Sequence, residues 1–179
     1  MRREAIEREV DIPLDAATHR GDLGLPPGAE GLVIFAHGSG SSRRSSRNRF
    51  VAEALRRAGL GTLLFDLLTE IEDRDYERRF DIDLLTHRLL LATQWAGQQA
   101  ATRGLALDDL ARVQAPTLLI VGGDDAVVIE LNRTAYRELC GEKELKIIPG
   151  ATHLFEEPGT LEQVATAAAH WFARHLTGK

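Results

Sequence analysis

Short apolar runs alternate with amphipathic segments along most of this chain, and this alternation restricts its fold more than any other feature. The apolar runs are residues 31–36 (GLVIFA), 61–68 (GTLLFDLL), 116–121 (PTLLIV) and 144–148 (ELKII). Short apolar runs bounded by glycine or proline predict strands buried on both faces. Apolar residues recur at helical spacing in residues 48–58, 80–99, 128–139 and 161–176. The pattern predicts an α/β fold, with a mostly parallel sheet and helices on both faces.

Length and charge narrow the classes of protein further. The 179 residues suit a single domain over 1–179, and the net charge of −5 disfavours binding to nucleic acid or to anionic membranes. Cys140 is the single cysteine, which excludes an intrachain disulfide. The N-terminus is charged, unlike a signal peptide, and no apolar run approaches the roughly 20 residues of a membrane span. We therefore expect a cytoplasmic protein.

In a parallel sheet the loops at the carboxyl ends of the strands carry the chemistry. Here those loops are residues 37–42, 66–70, 122–125 and 150–155. The first of them, HGSGSS, leaves a predicted buried strand and leads towards a helix. Its small residues allow backbone N–H groups to face a ligand, as an oxyanion hole requires. The alternative is a tight turn whose glycines serve backbone freedom alone.

The third and fourth strands are followed by an acid and a histidine. Asp124 and Asp125 come after residues 116–121, and His153 follows the last strand. A carboxylate can orient a histidine that acts as a general base, and we favour Asp125 for this role. The alternative for the aspartates is capping of the next helix, and for His153 an ordinary surface loop.

The order of these parts resembles the α/β-hydrolase superfamily, and specifically its dienelactone-hydrolase-like branch. The segments that carry the resemblance are VIFAHGSGSSRRSSRNRF, GLGTLLFDLLT, APTLLIVGGDD and IIPGATHLFEEP. The resemblance implies an oxyanion hole built from the backbone N–H groups of Gly38 and Ser39. It also implies Asp125 as the acid and His153 as the base of a triad. The implied reaction is hydrolysis of a small-molecule ester or lactone without a metal or an organic cofactor.

One part of the family pattern is missing. The nucleophile of this superfamily stands in G-x-S-x-G, on a sharp turn between the first loop and the acid. This chain has no serine after Ser46, and none of its five serines has glycine at both −2 and +2. The missing strand, elbow, helix and second strand would need about 35 to 40 residues. We therefore predict a shortened fold, with a deletion near residues 105–110.

The nucleophile is thus unknown from the sequence. Ser39 or Ser41 lies beside the predicted oxyanion loop, and Cys140 lies near a predicted helix end, where a buried structural thiol is the alternative. A water activated by a metal on Asp124, Asp125 and His153 would need a fourth ligand, and the sequence shows none. We assign no metal site.

Two other classes of function stay open. Arg43 and Arg47 follow the glycine–serine loop at a predicted helix start, where they would suit an anionic small molecule in a non-catalytic binding module. Alternatively, the shortened sheet would be a structural subunit that exposes core surface to a partner or forms a homo-oligomer.

Overall fold

The computed structural model describes residues 5–37, 41–99, 115–139 and 141–176. The chain falls into two compact units, which divide between Leu110 and Ala111. The chain has an α/β fold; within the described residues the sheet of the first unit is mixed and that of the second unit is parallel. None of the described helices has the length and apolar character that a membrane crossing requires.

The first unit contains a four-stranded sheet in the order β1-β2-β4-β3. Its strands are β1 (Ile6–Leu14), β2 (Ala17–Leu25), β3 (Leu32–Phe35) and β4 (Gly61–Phe65). The pairs β1–β2 and β2–β4 are antiparallel, whereas β3–β4 is parallel. The parallel pair is joined by helix α1 (Ser46–Arg57), which ends before Gly59 with a φ of +86°. Glycine suits that position because it enters the left-handed region without a Cβ clash.

Helices cover both faces of this sheet. Every residue of β4 is buried, as a strand covered on both faces requires. On one face the Arg56 side chain of α1 donates to Thr62 of β4 at 3.1 Å. On the other face Leu63 and Phe65 lie in the main core cluster with Ala92 and Ala96 of α2 (Ile82–Gln98).

A buried arginine ties the segment after β4 to the β1–β2 turn. The Arg88 side chain is 5% exposed and donates two hydrogen bonds to Glu72, at 2.7 and 2.8 Å. It also donates to Asp15 in the turn, at 3.2 Å, and to the Leu67 carbonyl, at 2.9 Å. The hydrogen bonds from Arg88, aided by those from Thr69, lower the pKa of Glu72 from 4.5 to about 2. The carboxylate of Glu72 therefore stays ionised throughout the neutral range.

The second unit contains a parallel pair of strands, β5 (Thr117–Gly122) and β6 (Lys143–Ile148). Helices α3 (Ala126–Glu138) and α4 (Thr160–Leu176) pack against both strands. Trp171 of α4 and Ile148 of β6 are buried in this unit.

Most of the predicted elements are confirmed, and the structure differs from the prediction at two places. Strand β2 was not predicted at all. Residues 70–79, expected to be a solvated loop, contain two short 3₁₀ helices, Glu72–Arg74 and Glu77–Phe80. The Glu72 side chain there is 18% exposed and pairs with Arg88. The predicted deletion near 105–110 lies outside the described residues.

Replacement of Arg88 by leucine should destabilise the protein strongly. The change leaves the largely buried carboxylate of Glu72 without its main counter-charge. Removal of one partner from a buried ion pair lowers the free energy of unfolding by about 3 kcal/mol. Urea unfolding at pH 7 measures the loss. The matched control is Arg78→Gln, since Arg78 also contacts Glu72, at 3.3 Å, but is 47% exposed; we expect less than about 1 kcal/mol.

The same pair should make stability depend on pH. The pKa of Glu72 is lowered in the folded state, so its contribution is complete above pH 4.5 and is lost as the pH falls towards 2. Arg88→Leu should therefore remove part of the acid sensitivity between pH 5 and pH 2. Equal acid sensitivity in the variant and the parent would contradict this role of the pair.

Candidate functional site

The register of β5 and β6 brings two loops together. The strands pair in parallel, with Gly122 opposite Ile148, so the loops that follow the two strands leave the sheet at the same level. The Gly123 amide then donates to the Ile148 carbonyl at 2.8 Å. The Asp124 amide donates to the Ala151 carbonyl at 2.9 Å. Two backbone hydrogen bonds thus continue the contact beyond the end of the sheet.

Glycine is required where these loops meet. A Cβ on Gly122 would lie 2.4 Å from the Ala151 carbonyl oxygen and 2.5 Å from that of Thr152. A Cβ on Gly123 would lie 2.9 Å from the Ile148 carbonyl oxygen. These neighbours are backbone atoms, so they cannot move aside as a flexible side chain would. The sequence GGDD therefore sets the close approach of the two loops.

Asp125 and His153 meet across this junction. The Nδ1 atom of His153 lies 2.7 Å from Oδ2 of Asp125. The other oxygen, Oδ1, accepts a hydrogen bond from the Val128 amide at 3.3 Å and caps α3. Asp125 thus both caps the helix and holds the histidine, so the two roles that were alternatives in the sequence occur together. The Asp125 side chain is 18% exposed, which protects the contact from full solvation.

The histidine stands on a tight turn. The Phe155 amide donates to the Thr152 carbonyl at 3.3 Å, and Phe155 has a φ of +52°. A bulky residue rarely adopts this left-handed conformation. The Thr152 amide and hydroxyl both donate to Glu157, and the hydroxyl hydrogen bond above all lowers the pKa of that carboxyl. The turn leaves the His153 side chain 70% exposed, and its Nε2 atom has no hydrogen bond within the described residues.

In the first unit a second acid holds both ends of the glycine–serine loop. Oδ1 of Asp66 lies 3.0 Å from Nε2 of His37 and accepts a hydrogen bond from the Arg43 amide at 2.8 Å. Oδ2 accepts one from the Arg43 side chain at 3.2 Å. Burial by itself would raise the pKa of Asp66, but the hydrogen bonds from His37 and Arg43 outweigh it and lower the pKa. Residues 38–40, between these anchored ends, lie outside the described residues.

A cavity of about 260 Å³ lies beside this clamp. Its lining combines polar side chains of the loop and of Asp66 with the apolar residues Leu67, Leu68 and Leu85. Its volume lies just below the roughly 300 to 1,000 Å³ of typical small-molecule pockets. Asp66 is the functional candidate that sequence reasoning missed. Its position directly after β4, in a loop already marked for chemistry, was the available signal.

The structure describes some of the predicted site residues and leaves others outside its described ranges. Asp125 and His153 are brought together, and their catalytic roles stay predictions. Gly38, Ser39 and Cys140 lie outside the described residues. Among the described residues, no group of three or more histidine, cysteine and acidic side chains is placed to hold a metal.

The two arginines predicted to bind an anion differ in their surroundings. Arg43 is buried, and besides Asp66 its guanidinium contacts Asp22 at 2.8 Å and Glu9 at 3.3 Å. Three carboxylates therefore already surround Arg43, and its anion-binding role stays a prediction. Arg47 is half-buried in the first turn of α1, and its anion-binding role stays a prediction.

Solved structures with a similar fold include hydrolases. A dienelactone hydrolase from Anabaena variabilis is 41% identical, with a TM-score of 0.89 over 97% of this chain and 100% of that chain. An esterase from Pyrococcus furiosus is 16% identical, with a TM-score of 0.70 over 96% and 94% of the two chains. A dienelactone hydrolase-like promiscuous phosphotriesterase from metagenomic libraries is 17% identical, with a TM-score of 0.69 over 96% and 98%. The last two similarities concern the fold alone.

Two curated relatives from Mycobacterium tuberculosis strains carry the provisional name phosphoribosyl transferase. Each is 46% identical over 209 residues, which cover 96% of this chain and 47% of the relative. The chain thus spans about half the length of these relatives. Because the alignment extends over 209 residues and the chain has 179, each relative carries at least 30 residues without a counterpart here. No family model matches the chain.

Replacement of Gly122 by alanine should disrupt the junction that holds Asp125 and His153. The added methyl group meets two backbone carbonyl oxygens, and overpacking of this kind costs about 2 kcal/mol. Urea unfolding and the amide NMR signals of residues 123–125 and 151–153 measure the effect. Gly97→Ala is the control, because Gly97 lies in α2 with open space around its Cβ position. That change should be neutral or stabilise by up to about 1 kcal/mol, and equal losses in both variants would refute the close-approach argument.

Proposed function

Because the chain belongs to the dienelactone-hydrolase branch of the α/β-hydrolase superfamily, we propose that it carries the acid–base part of an ester or lactone hydrolase. Asp125 is the acid and His153 the base in this proposal. The backbone N–H groups of Gly38 and Ser39 form the oxyanion hole. The nucleophile belongs to a segment that this chain lacks.

The contact between Asp125 and His153 is the observation that carries the proposal. A carboxylate on Nδ1 fixes the imidazole tautomer, so that Nε2 accepts the proton of an attacking hydroxyl. The same carboxylate stabilises the imidazolium that forms when the proton is transferred. At 2.7 Å the contact has the short separation of a charge-assisted hydrogen bond. The exposed Nε2 side of His153 stays available to a reacting group.

Two observations support a missing internal segment. The relatives carry at least 30 residues that have no counterpart here, close to the 35 to 40 expected for strand, elbow, helix and strand. Within the described residues, β3 ends the first sheet and β5 ends the second, and each pairs in parallel on one side alone. A further parallel strand has a hydrogen-bonding edge available in either unit. We place the missing segment near residues 105–110.

The clamp on Asp66 supports the proposed oxyanion loop. Donors of an oxyanion hole stabilise a transition state because they are fixed before the reaction, rather than reoriented during it. Asp66 fixes His37 before the proposed donors and Arg43 after them, through one carboxylate. In this proposal Asp66 positions the loop and does not touch the substrate.

Because the proposed nucleophile is missing, we expect no hydrolase activity from this chain until the missing segment is restored. This chain should not react with a fluorophosphonate probe and should hydrolyse p-nitrophenyl esters no faster than its His153→Ala variant. Insertion of a strand–elbow–helix–strand segment that carries the superfamily's G-x-S-x-G motif between Leu105 and Leu110 should restore labelling and turnover. In that form, Asp125→Asn keeps an oxygen for the helix cap but should lower kcat by about 10⁴-fold, as loss of the correct tautomer does.

Three results would contradict the proposal. Labelling of the unmodified chain would mean that one of its own residues is the nucleophile, and peptide mapping would identify it. Turnover in the restored form that survives His153→Ala would exclude His153 as the base. A restored form that folds, as judged by circular dichroism, but neither labels nor turns over would exclude the position assigned to the deletion.

Replacement of Asp66 by asparagine should loosen the loop. The variant keeps the shape of the side chain but loses the charge that binds His37 and Arg43, which should lower the free energy of unfolding by about 2 kcal/mol. The Arg43 amide NMR signal should shift, and kcat of the restored form should fall more than KM rises. Asp22→Asn is the control, because Asp22 contacts the Arg43 side chain at 2.8 Å but does not touch the loop backbone. Equal effects of the two changes on kcat would limit Asp66 to a structural role.

A further inference from the structure

The first unit has a second cavity, of about 380 Å³, on the face of its sheet that α1 covers. We propose that this cavity binds the phosphate group of a small phosphorylated molecule. Its lining contains three acidic residues and five arginines, four of which come from the segment before α1 and from α1 itself, namely Arg43, Arg44, Arg49 and Arg56. This excess of positive charge occurs on a chain whose net charge is −5.

Strand alternation explains why the cavity is polar. Val10 and Ile12 of β1 point into the core, so the alternate residues Glu7 and Glu9 lie on the opposite face. Asp22 of β2 pairs directly with Glu9 and lies on the same face. This face of β1 and β2 therefore presents charged groups, where the core face presents aliphatic side chains.

A glycine creates the space in which one arginine lies. A Cβ on Gly24 would come within 2.7 Å of Cδ of Arg56. The Arg56 chain therefore passes over the bare backbone of β2 and donates to the Thr62 hydroxyl at 3.1 Å. Leu64 adds an apolar surface to the lining. The site thus has a fixed guanidinium next to a surface that suits an organic group.

The acidic residues of the cavity already have partners. Asp22 binds Arg43 at 2.8 Å, and Glu9 binds both Arg43, at 3.3 Å, and Arg20, at 2.5 Å. Glu7 lies 3.6 Å from Arg56. Because each carboxylate is neutralised by an arginine that lies on it, none of them is left to neutralise the remaining cations.

Besides Arg8 of β1, the remaining cations of the lining are Arg44 and Arg49. Both are exposed, and their guanidinium groups make no ion pair within the described residues. Arg49 and Arg56 are seven residues apart on α1, which is close to two full turns, so they share one face of the helix. Three guanidinium groups thus converge on one cavity, two of them without a counter-ion.

Phosphate is the group that this arrangement fits. Guanidinium groups donate paired hydrogen bonds to phosphate oxygens, and three of them match its oxygens and its charge better than they match a single carboxylate. The volume exceeds that of phosphate alone and leaves room for an organic part. This site differs from the predicted anion site at the helix start, because Arg43 serves here to neutralise Asp22 and Glu9.

Isothermal titration calorimetry of the unmodified chain tests the proposal, with inorganic phosphate, inorganic pyrophosphate and glucose 6-phosphate as probes. Glucose is the uncharged control, and sodium sulfate the control for general ionic effects. We expect saturable binding of glucose 6-phosphate that is tighter than that of phosphate and absent for glucose. An increase in NaCl from 50 to 200 mM should weaken binding, since exposed charges are screened over this range.

Substitutions locate the site. Arg49→Gln and Arg44→Gln should each weaken glucose 6-phosphate binding by at least about tenfold, the effect of one lost charged hydrogen bond. Arg57→Gln is the matched control, because Arg57 lies on the same helix but pairs with Glu53 and is not in the lining. It should leave the affinity unchanged. The unfolding midpoint of each variant verifies that it is folded.

Three results would overturn the proposal: no saturable binding of any phosphate probe, binding that sulfate matches, or binding that Arg49→Gln and Arg57→Gln weaken equally. Binding of inorganic phosphate and glucose 6-phosphate with the same affinity would support the phosphate site and exclude a role for the organic part. These measurements require no turnover, so their outcome is independent of the hydrolase proposal.

Discussion

Parallel pairing of neighbouring strands determines where the chemistry of this chain lies. Parallel strands end at a common level, so the residues directly after them are close in space whatever their separation in sequence. His37 and Asp66 follow β3 and β4 by two residues and by one, and they meet at 3.0 Å. Asp125 and His153 follow β5 and β6, and they meet at 2.7 Å. Each parallel pair thus produces one contact between an acid and a histidine.

The two contacts perform different tasks because their surroundings differ. The His37 side chain is 14% exposed, and its acid also binds a buried arginine, so the contact belongs to a closed network that holds a loop. The His153 side chain is 70% exposed and stands on a strained turn, with one ring nitrogen held and the other available. The His153 ring is thus largely exposed to solvent, whereas the His37 ring is largely buried beside the cavity that it lines.

Among the described elements, the periodicity of apolar residues predicted the four α-helices and the strands β3, β4, β5 and β6. These elements are buried on one or both faces, and burial produces the periodic pattern. Strand β2 escaped prediction since ATHRGDLGL contains two glycines and no Val, Ile or aromatic residue, and its conformation comes from pairing with β1 along its whole length. The pairing of Asp125 with His153 followed from loop position. The partners of Asp66 and Arg88 could not be predicted in this way, since ion pairs depend on side-chain reach across elements rather than on spacing.

The contact between Asp125 and His153 is held by residues that are close to it along the chain. Every contact that fixes the pair comes from residues 122–157: the loop junction at Gly122 and Gly123, the cap on α3 and the turn at Phe155. If the proposed segment near residues 105–110 is absent, these contacts do not depend on it, because they lie after β5 begins. The geometry of the Asp125–His153 contact is thus determined within the second unit.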